Sequence, residues 1–388
     1  MTGIALSQLL VLTLWFSAAA VAPQLRLAWD LSIAAASWLT LAVQVGFVFG
    51  AFTIAASGIA DSVPSRRLFV MAATVAAGAN AAVIFVSADT VPLAYGFRFV
   101  TGVALAGVYP SGMKAMAGWF SRGRGMALGV LVGALTVGSA GPHLIGGIGL
   151  EWRSVLVTAS ILAAVGAILM ARTVTDGPFE VASSPFSISH IGAALRNRGV
   201  RLSTYGYLGH MWELYAMWTW TAAFLAASAA QRGGTAGWVP IATFAIIAVG
   251  GPASFLAGRL ADIHGRELVA GTAMAISGIS ALATLFVFGR SPLVVLPVFL
   301  VWGATVVADS AQFSALVTEA AAEEGRGTAL TLQTGLGFLL TLVTIRGVPL
   351  VAGAFGWQWA FPWLASGPAL GIVAMVKLRS SKTVQFLT

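Results

Sequence analysis

Apolar runs of about twenty residues, separated by short polar gaps, recur along the whole chain. GWVPIATFAIIAVGGPASFLA, residues 237–257, and VAGTAMAISGISALATLFVF, residues 269–288, flank the gap GRLADIHGREL. A run of that length lets a helix cross the hydrocarbon core of a bilayer. Helix is the required form, because a spanning segment must satisfy its own backbone hydrogen bonds. Only 9% of the 388 residues are charged and 58% are hydrophobic, with a mean hydropathy of +0.90. Soluble domains carry about 25% charged residues, so this chain has too few polar groups to cover itself in water. The 45 glycines suit close packing between membrane helices. The fold class is therefore all-α, a polytopic membrane protein.

Twelve spans are predicted, near 4–25, 35–60, 68–87, 91–113, 124–148, 153–172, 203–226, 238–260, 268–288, 292–315, 327–348 and 356–377. The long polar stretch 173–202, with Gly177, Pro178, Pro185 and a run of serines, reads as a cytoplasmic linker. The expected organisation is a six-helix bundle over 1–172, the linker over 173–202 and a second six-helix bundle over 203–388. MTGIALSQLL has no basic residue ahead of its apolar run, so it reads as a retained first helix.

Basic residues orient the spans. Fifteen of the 21, among them Arg66, Lys114, Arg124, Arg198, Arg266 and Arg326, fall on one side if both termini share it. Only Arg26, Arg153, Arg232 and Arg290 fall on the other. Both termini are expected to be cytoplasmic and the protein to sit in the cytoplasmic (inner) membrane. The halves also echo each other. Asp61 and Asp262 are 201 positions apart, GRGMAL at 123–128 returns as GRGTAL at 325–330, and Trp152 has a counterpart in Trp357. Matches in order at nearly one offset indicate a duplication of six helices, the plan of one large group of secondary transporters.

The gap after span 8 carries Gly258, Leu260, Ala261, Asp262, Gly265 and Arg266, and a worn copy after span 2 keeps Ala60, Asp61 and Arg66. Span 4 holds Arg98 and Gly102 in RFVTG, and span 5 holds GSAGPHLIGG. With these residues the chain resembles the major facilitator superfamily over nearly its whole length. The first copy of the loop departs at Ser57, Ser62, Pro64 and Ser65, and Ile263 replaces an arginine in the second. The resemblance implies a fold of two pseudo-symmetric bundles and a cytoplasmic gate built from Asp61, Arg66, Gly258, Asp262, Gly265, Arg266, Arg124 and Arg326. Asp61 would then sit near Arg326, and Asp262 near Arg124. Loop charges that only fix topology are the plainer alternative.

Ionisable residues inside spans are costly and face a cavity or a partner. Glu213 falls closest to the middle of its span, three residues from His210, in the aromatic stretch YGYLGHMWELYAMWTW. Desolvation penalises the charged form of an acid, which suits a proton carrier. Glu213 is the first candidate for proton coupling, with Asp309 and His210; a structural pair of Glu213 with His210 or Arg98 is the alternative. Substrate-binding candidates are Arg98, Gln44, Gln333, Tyr207, Trp212 and Tyr109.

No Walker loop is present, and AAGANAA at 76–82 lies inside a span, so ATP does not drive the protein directly. The absence of cysteine excludes thiolate metal sites, and the four histidines lack ligand spacing. No metal, cofactor or enzymatic activity is expected. The net charge of +8 is spread over loops, so no nucleic acid partner is expected either. The reading is a monomeric, proton-coupled secondary transporter of a small organic solute, an organic anion or zwitterion, with protons and membrane lipids as its other partners. Proton-driven efflux of drugs or metabolites, and a transport-inactive receptor on the same fold, are the alternatives.

Overall fold

A computed structural model describes residues 1–120, 124–175, 177–179 and 187–387. Arg122, Gly123 and part of the linker lie outside the described residues. Every regular element among them is helical.

Span 1 is broken. Helix α1 (Thr2–Leu12) ends in a turn over residues 13–16, and α2 (Ser17–Ala20) and α3 (Ala22–Ala28) complete the crossing. Spans 2 and 3 are α4 (Ile33–Ser57) and α6 (Ser65–Ala82), joined by the single turn α5 (Ile59–Ser62). Helices α7 (Val91–Ala117), α8 (Arg124–Gly147) and α9 (Trp152–Thr173) complete the first six spans. The short α10 (Ile188–Arg196) precedes α11 (Arg198–Gln231), which is span 7. Span 8 divides into α12 (Val239–Ala248) and α13 (Gly250–His264), and span 9 is α14 (Arg266–Val287). Span 10 divides into α15 (Pro292–Ala308) and α16 (Ser310–Ala320); α17 (Arg326–Phe355) and α18 (Ser366–Leu387) are spans 11 and 12.

Among the described residues, ten helices are long and apolar enough to cross a membrane. The other two spans fall short for separate reasons. Span 1 is interrupted, and its apolar α1 is short. Helix α11 has 34 residues, about 51 Å at the usual rise, but Arg198, Arg201, His210 and Glu213 lower its hydropathy.

Caps mark several of the boundaries. Ser32 accepts a hydrogen bond from the Ala35 amide at the start of α4, and Asn197 does the same for Val200 in α11. Gly265, at φ 91°, alone separates α13 from α14, a conformation that glycine adopts without steric cost. Gly258, read from the sequence as part of the gap after span 8, lies inside α13, because helix continues unbroken to His264.

Helix α4 packs on α7 so closely that a Cβ on Gly102 would overlap the Val43 carbonyl oxygen. In the second half, a Cβ on Gly303 would overlap the Ile246 carbonyl oxygen, where α12 meets α15. Gly102 and Gly303 are 201 positions apart, the offset that relates Asp61 to Asp262. The duplication therefore extends to a tight glycine contact between helices in each half. Across the halves, α4 packs on α17, and α8 packs on α12 and α13. Leu27, Phe85 and Leu293 are among large apolar side chains left exposed, as a lipid-facing surface requires.

Candidate functional site

The break in span 1 takes the Leu14 and Trp15 carbonyls out of regular α-helical pairing, and Arg98 of α7 bonds both, alongside Ser17, whose hydroxyl also donates to Leu14 O. Its Nη1 donates to Leu14 O at 3.0 Å, and its Nη2 donates to Trp15 O at 2.6 Å. Nη1 also donates to Ser17 Oγ at 3.1 Å and Asn80 Oδ1 at 2.7 Å, and Nε donates to Leu39 O at 3.1 Å. Asn80 is held in turn by donating to Leu156 O and Ser160 Oγ. Arg98 is wholly buried. Its positive charge is met by oxygen dipoles from spans 1, 2 and 3, not by a carboxylate. The substrate candidate Arg98 thus has its guanidinium directed at spans 1, 2 and 3.

The second half holds the acids. Helix α11 places His210 and Glu213 one turn apart on one face, but they take different partners. His210 Nδ1 lies 2.8 Å from Asp309 Oδ1, and both side chains are buried. Asp309 is the single residue between α15 and α16. Glu213, also fully buried, accepts hydrogen bonds from Ser277 Oγ at 2.5 Å and Trp302 Nε1 at 3.1 Å. The alternative of a Glu213 pair with His210 or Arg98 is not among its described contacts. Ser277 and Trp302 were not singled out from the sequence. Ser277 is one of several small polar residues in its span, and no local pattern marks it.

Between the halves, the midplane is filled by aromatic rings. Trp15 lies 5.0 Å from Phe47, 5.7 Å from Tyr215 and 5.6 Å from Phe338, and the Phe47 and Phe338 rings are 4.4 Å apart. Phe16 meets Trp218 edge-on at 5.8 Å. Neither Trp15 Nε1 nor Trp218 Nε1 has a hydrogen-bond partner among the described residues. Gln44, one turn from Phe47 on α4, is fully buried, and neither its amide oxygen nor its nitrogen has a partner. Gln333 sits on α17 with its Oε1 unpartnered and its Nε2 at 3.5 Å from both Ser203 O and Phe313 O. Tyr109 lies on α7. Tyr207 is buried beside His210 and Phe313. Trp212 is turned elsewhere, edge-on to Trp363 at 5.4 Å.

The gate residues are held mostly within their own halves. Arg66 donates to Ala171 O at 3.2 Å and Val174 O at 3.4 Å, at the end of α9. Arg266 bonds Glu319 Oε1 at 2.7 Å and Gln312 Oε1 at 3.2 Å, with Asp262 Oδ1 3.7 Å away. The side chains of Asp61 and Arg124 lie outside the described residues. Arg124 and Arg326 begin α8 and α17, as expected. Helices α8 and α13 do meet across the halves, where a Cβ on Gly133 would lie 3.3 Å from Gly251 O.

Solved structures share this fold. A D-xylose–proton symporter aligns with a TM-score of 0.75 at 15% identity, over 97% of this chain and 96% of that one. The nucleoside transporter NupG aligns at 0.72 and 13% identity, over 97% and 99%. The xylose transporter XylE from E. coli, in a partially occluded inward-open conformation, aligns at 0.71 and 14% identity, over 97% of each. No curated protein matches the sequence significantly. Residues 4–241 match the family model described as Major Facilitator Superfamily. That match covers more than half of the chain, which is therefore a multi-pass membrane protein of the Major Facilitator Superfamily.

Proposed function

We propose that this protein is a proton-coupled secondary active transporter that moves a small organic solute by alternating access. The observation that carries this reading is the buried His210–Asp309 pair at the division between α15 and α16. Protonating Asp309 would remove the negative member of that pair and loosen α16 from α11. Glu213, one turn along α11, would serve as a second proton acceptor. A proton bound here biases the inward–outward equilibrium only by its different affinity for the two states.

The solute would bind at the midplane between residues 1–172 and 203–388, with 173–202 as their connection. Trp15, Phe47 and Phe338 offer apolar faces there, and Gln44 and Gln333 offer amide groups. Tyr109 and Tyr207 complete this candidate set. Because Arg98 is committed to span 1, the site favours an uncharged or zwitterionic solute over an organic anion. The basic residues further support cytoplasmic termini and a place in the cytoplasmic membrane.

The test is solute uptake into proteoliposomes under an imposed pH gradient, screened with sugars, nucleosides, amino acids and carboxylates. Accumulation that collapses with a protonophore supports the reading. Flux that ignores the gradient would remove proton coupling. Ligand binding without flux in either direction would favour the receptor alternative.

A further inference from the structure

We infer that Arg232 and Arg290 form a binding site for a phosphate-type anion on the face opposite the chain termini. The two side chains line one cavity of about 180 Å³, together with Ser228, Thr235, Trp238 and Pro292. They come from different connections, Arg232 from the end of α11 and Arg290 from the turn between α14 and α15. Backbone geometry holds those connections together. The Gly289 amide donates to Ser228 Oγ at 2.9 Å. Gly289 has φ 73°, and a Cβ there would lie 3.2 Å from Gln231 Cγ. The two exposed arginines thus line one cavity.

No carboxylate offsets them. The connections of the second half on this face, residues 232–238, 288–291 and 356–365, contain no aspartate or glutamate. The first half differs: its connections carry Asp30, Asp89 and Glu151. Its arginines are also occupied. Arg26 donates to Leu31 O at 3.2 Å, and Arg153 lies 4.3 Å above the Trp152 ring. Arg232 and Arg290 have no side-chain partner among the described residues. Two guanidinium forks suit the several oxygens of a phosphate. A lipid headgroup and free inorganic phosphate share that chemistry. Trp238 at the rim and Leu293, 86% exposed just beyond Pro292, put the cavity at a lipid border where an acyl chain has apolar surface beside it.

The experiment compares delipidated wild type with the Arg232→Gln/Arg290→Gln double variant, and with Arg153→Gln as a control for charge on the same face. Native mass spectrometry and thermal shift would be read with phosphatidylglycerol, phosphatidylcholine or inorganic phosphate added. Phosphatidylglycerol should bind wild type and Arg153→Gln alike, and bind the double variant about tenfold more weakly or worse. An arginine-dependent shift with inorganic phosphate would assign the site to a free anion. Equal lipid and phosphate effects in wild type and double variant, or none in either, would overturn the site. None of these readouts involves transport, so they stand or fall apart from the proton-coupled reading.

Discussion

His210 Nδ1 and Asp309 Oδ1, 2.8 Å apart and closed off from solvent, tie α11 to the point where span 10 divides. Elsewhere in the membrane interior, buried charge is met by dipoles, as around Arg98. Here an acid and an imidazole meet directly.

Asp309→Asn should separate exchange from coupling. Gradient-driven accumulation is expected to fall about tenfold to a hundredfold, the range set by losing a charge-assisted hydrogen bond. Solute counterflow without a gradient should persist. Uptake that varies with external pH in wild type should become flat in the variant. Coupled accumulation at the wild-type level in Asp309→Asn would move the proton site elsewhere.

Glu213 offers a sharper contrast, because its partners are both donors. Glu213→Gln keeps one oxygen acceptor and should remain folded while changing the pH response of transport. Glu213→Ala leaves Ser277 and Trp302 buried without their acceptor, a cost of about 1–3 kcal/mol for each group. The alanine variant should therefore melt well below the glutamine variant in a detergent thermal melt. Equal melting temperatures would mean that these hydrogen bonds do not stabilise the protein.

Arg98 should resist conservative replacement. A lysine has no planar fork to reach Leu14 O, Trp15 O and Leu39 O together. Arg98→Lys and Arg98→Ala should both lower stability, the alanine by about 1–3 kcal/mol for each buried acceptor it leaves unmet. If Arg98→Lys melts like wild type but transports poorly, the guanidinium acts on substrate and not on the first helix.

The glycines predict opposite outcomes from one kind of change. Gly303→Ala drives a methyl group into the Ile246 carbonyl and should destabilise by about 1–3 kcal/mol. Gly258→Ala meets nothing within 4 Å inside α13 and should stabilise by about 0.5–1 kcal/mol. Melting curves of the two variants decide it. A destabilised Gly258→Ala would restore a hinge role for that glycine.

What the sequence made legible was set by how local the physics is. Apolar run length pointed to the helices that are long and apolar enough to cross, ten of them among the described residues, because crossing a bilayer is a constraint on consecutive residues. The divisions at residues 13–16 and Asp309 stayed hidden, since no proline marks them, whereas Pro252 three residues past Val249 was a local signal for the third that went unread. Glu213, His210 and Asp309 stood out because charge in an apolar run is conspicuous. Their pairing did not, since His210 and Asp309 meet across 99 positions. Arg98 was just as conspicuous, but its main partners are backbone carbonyls, which every residue possesses. Gly258 was misplaced in a turn because a motif reports residue identity and not where a helix stops.

The interrupted first span has a consequence for biogenesis. Leu14 and Trp15 leave the ribosome more than eighty residues before Arg98, the residue that closes their carbonyls. Until α7 enters the membrane, the turn over residues 13–16 has to be sheltered by water, by the translocation machinery or by a transient continuous helix. The first crossing therefore reaches its final shape only after the fourth has been inserted, and a chain arrested before α7 would expose an unfinished segment to quality control.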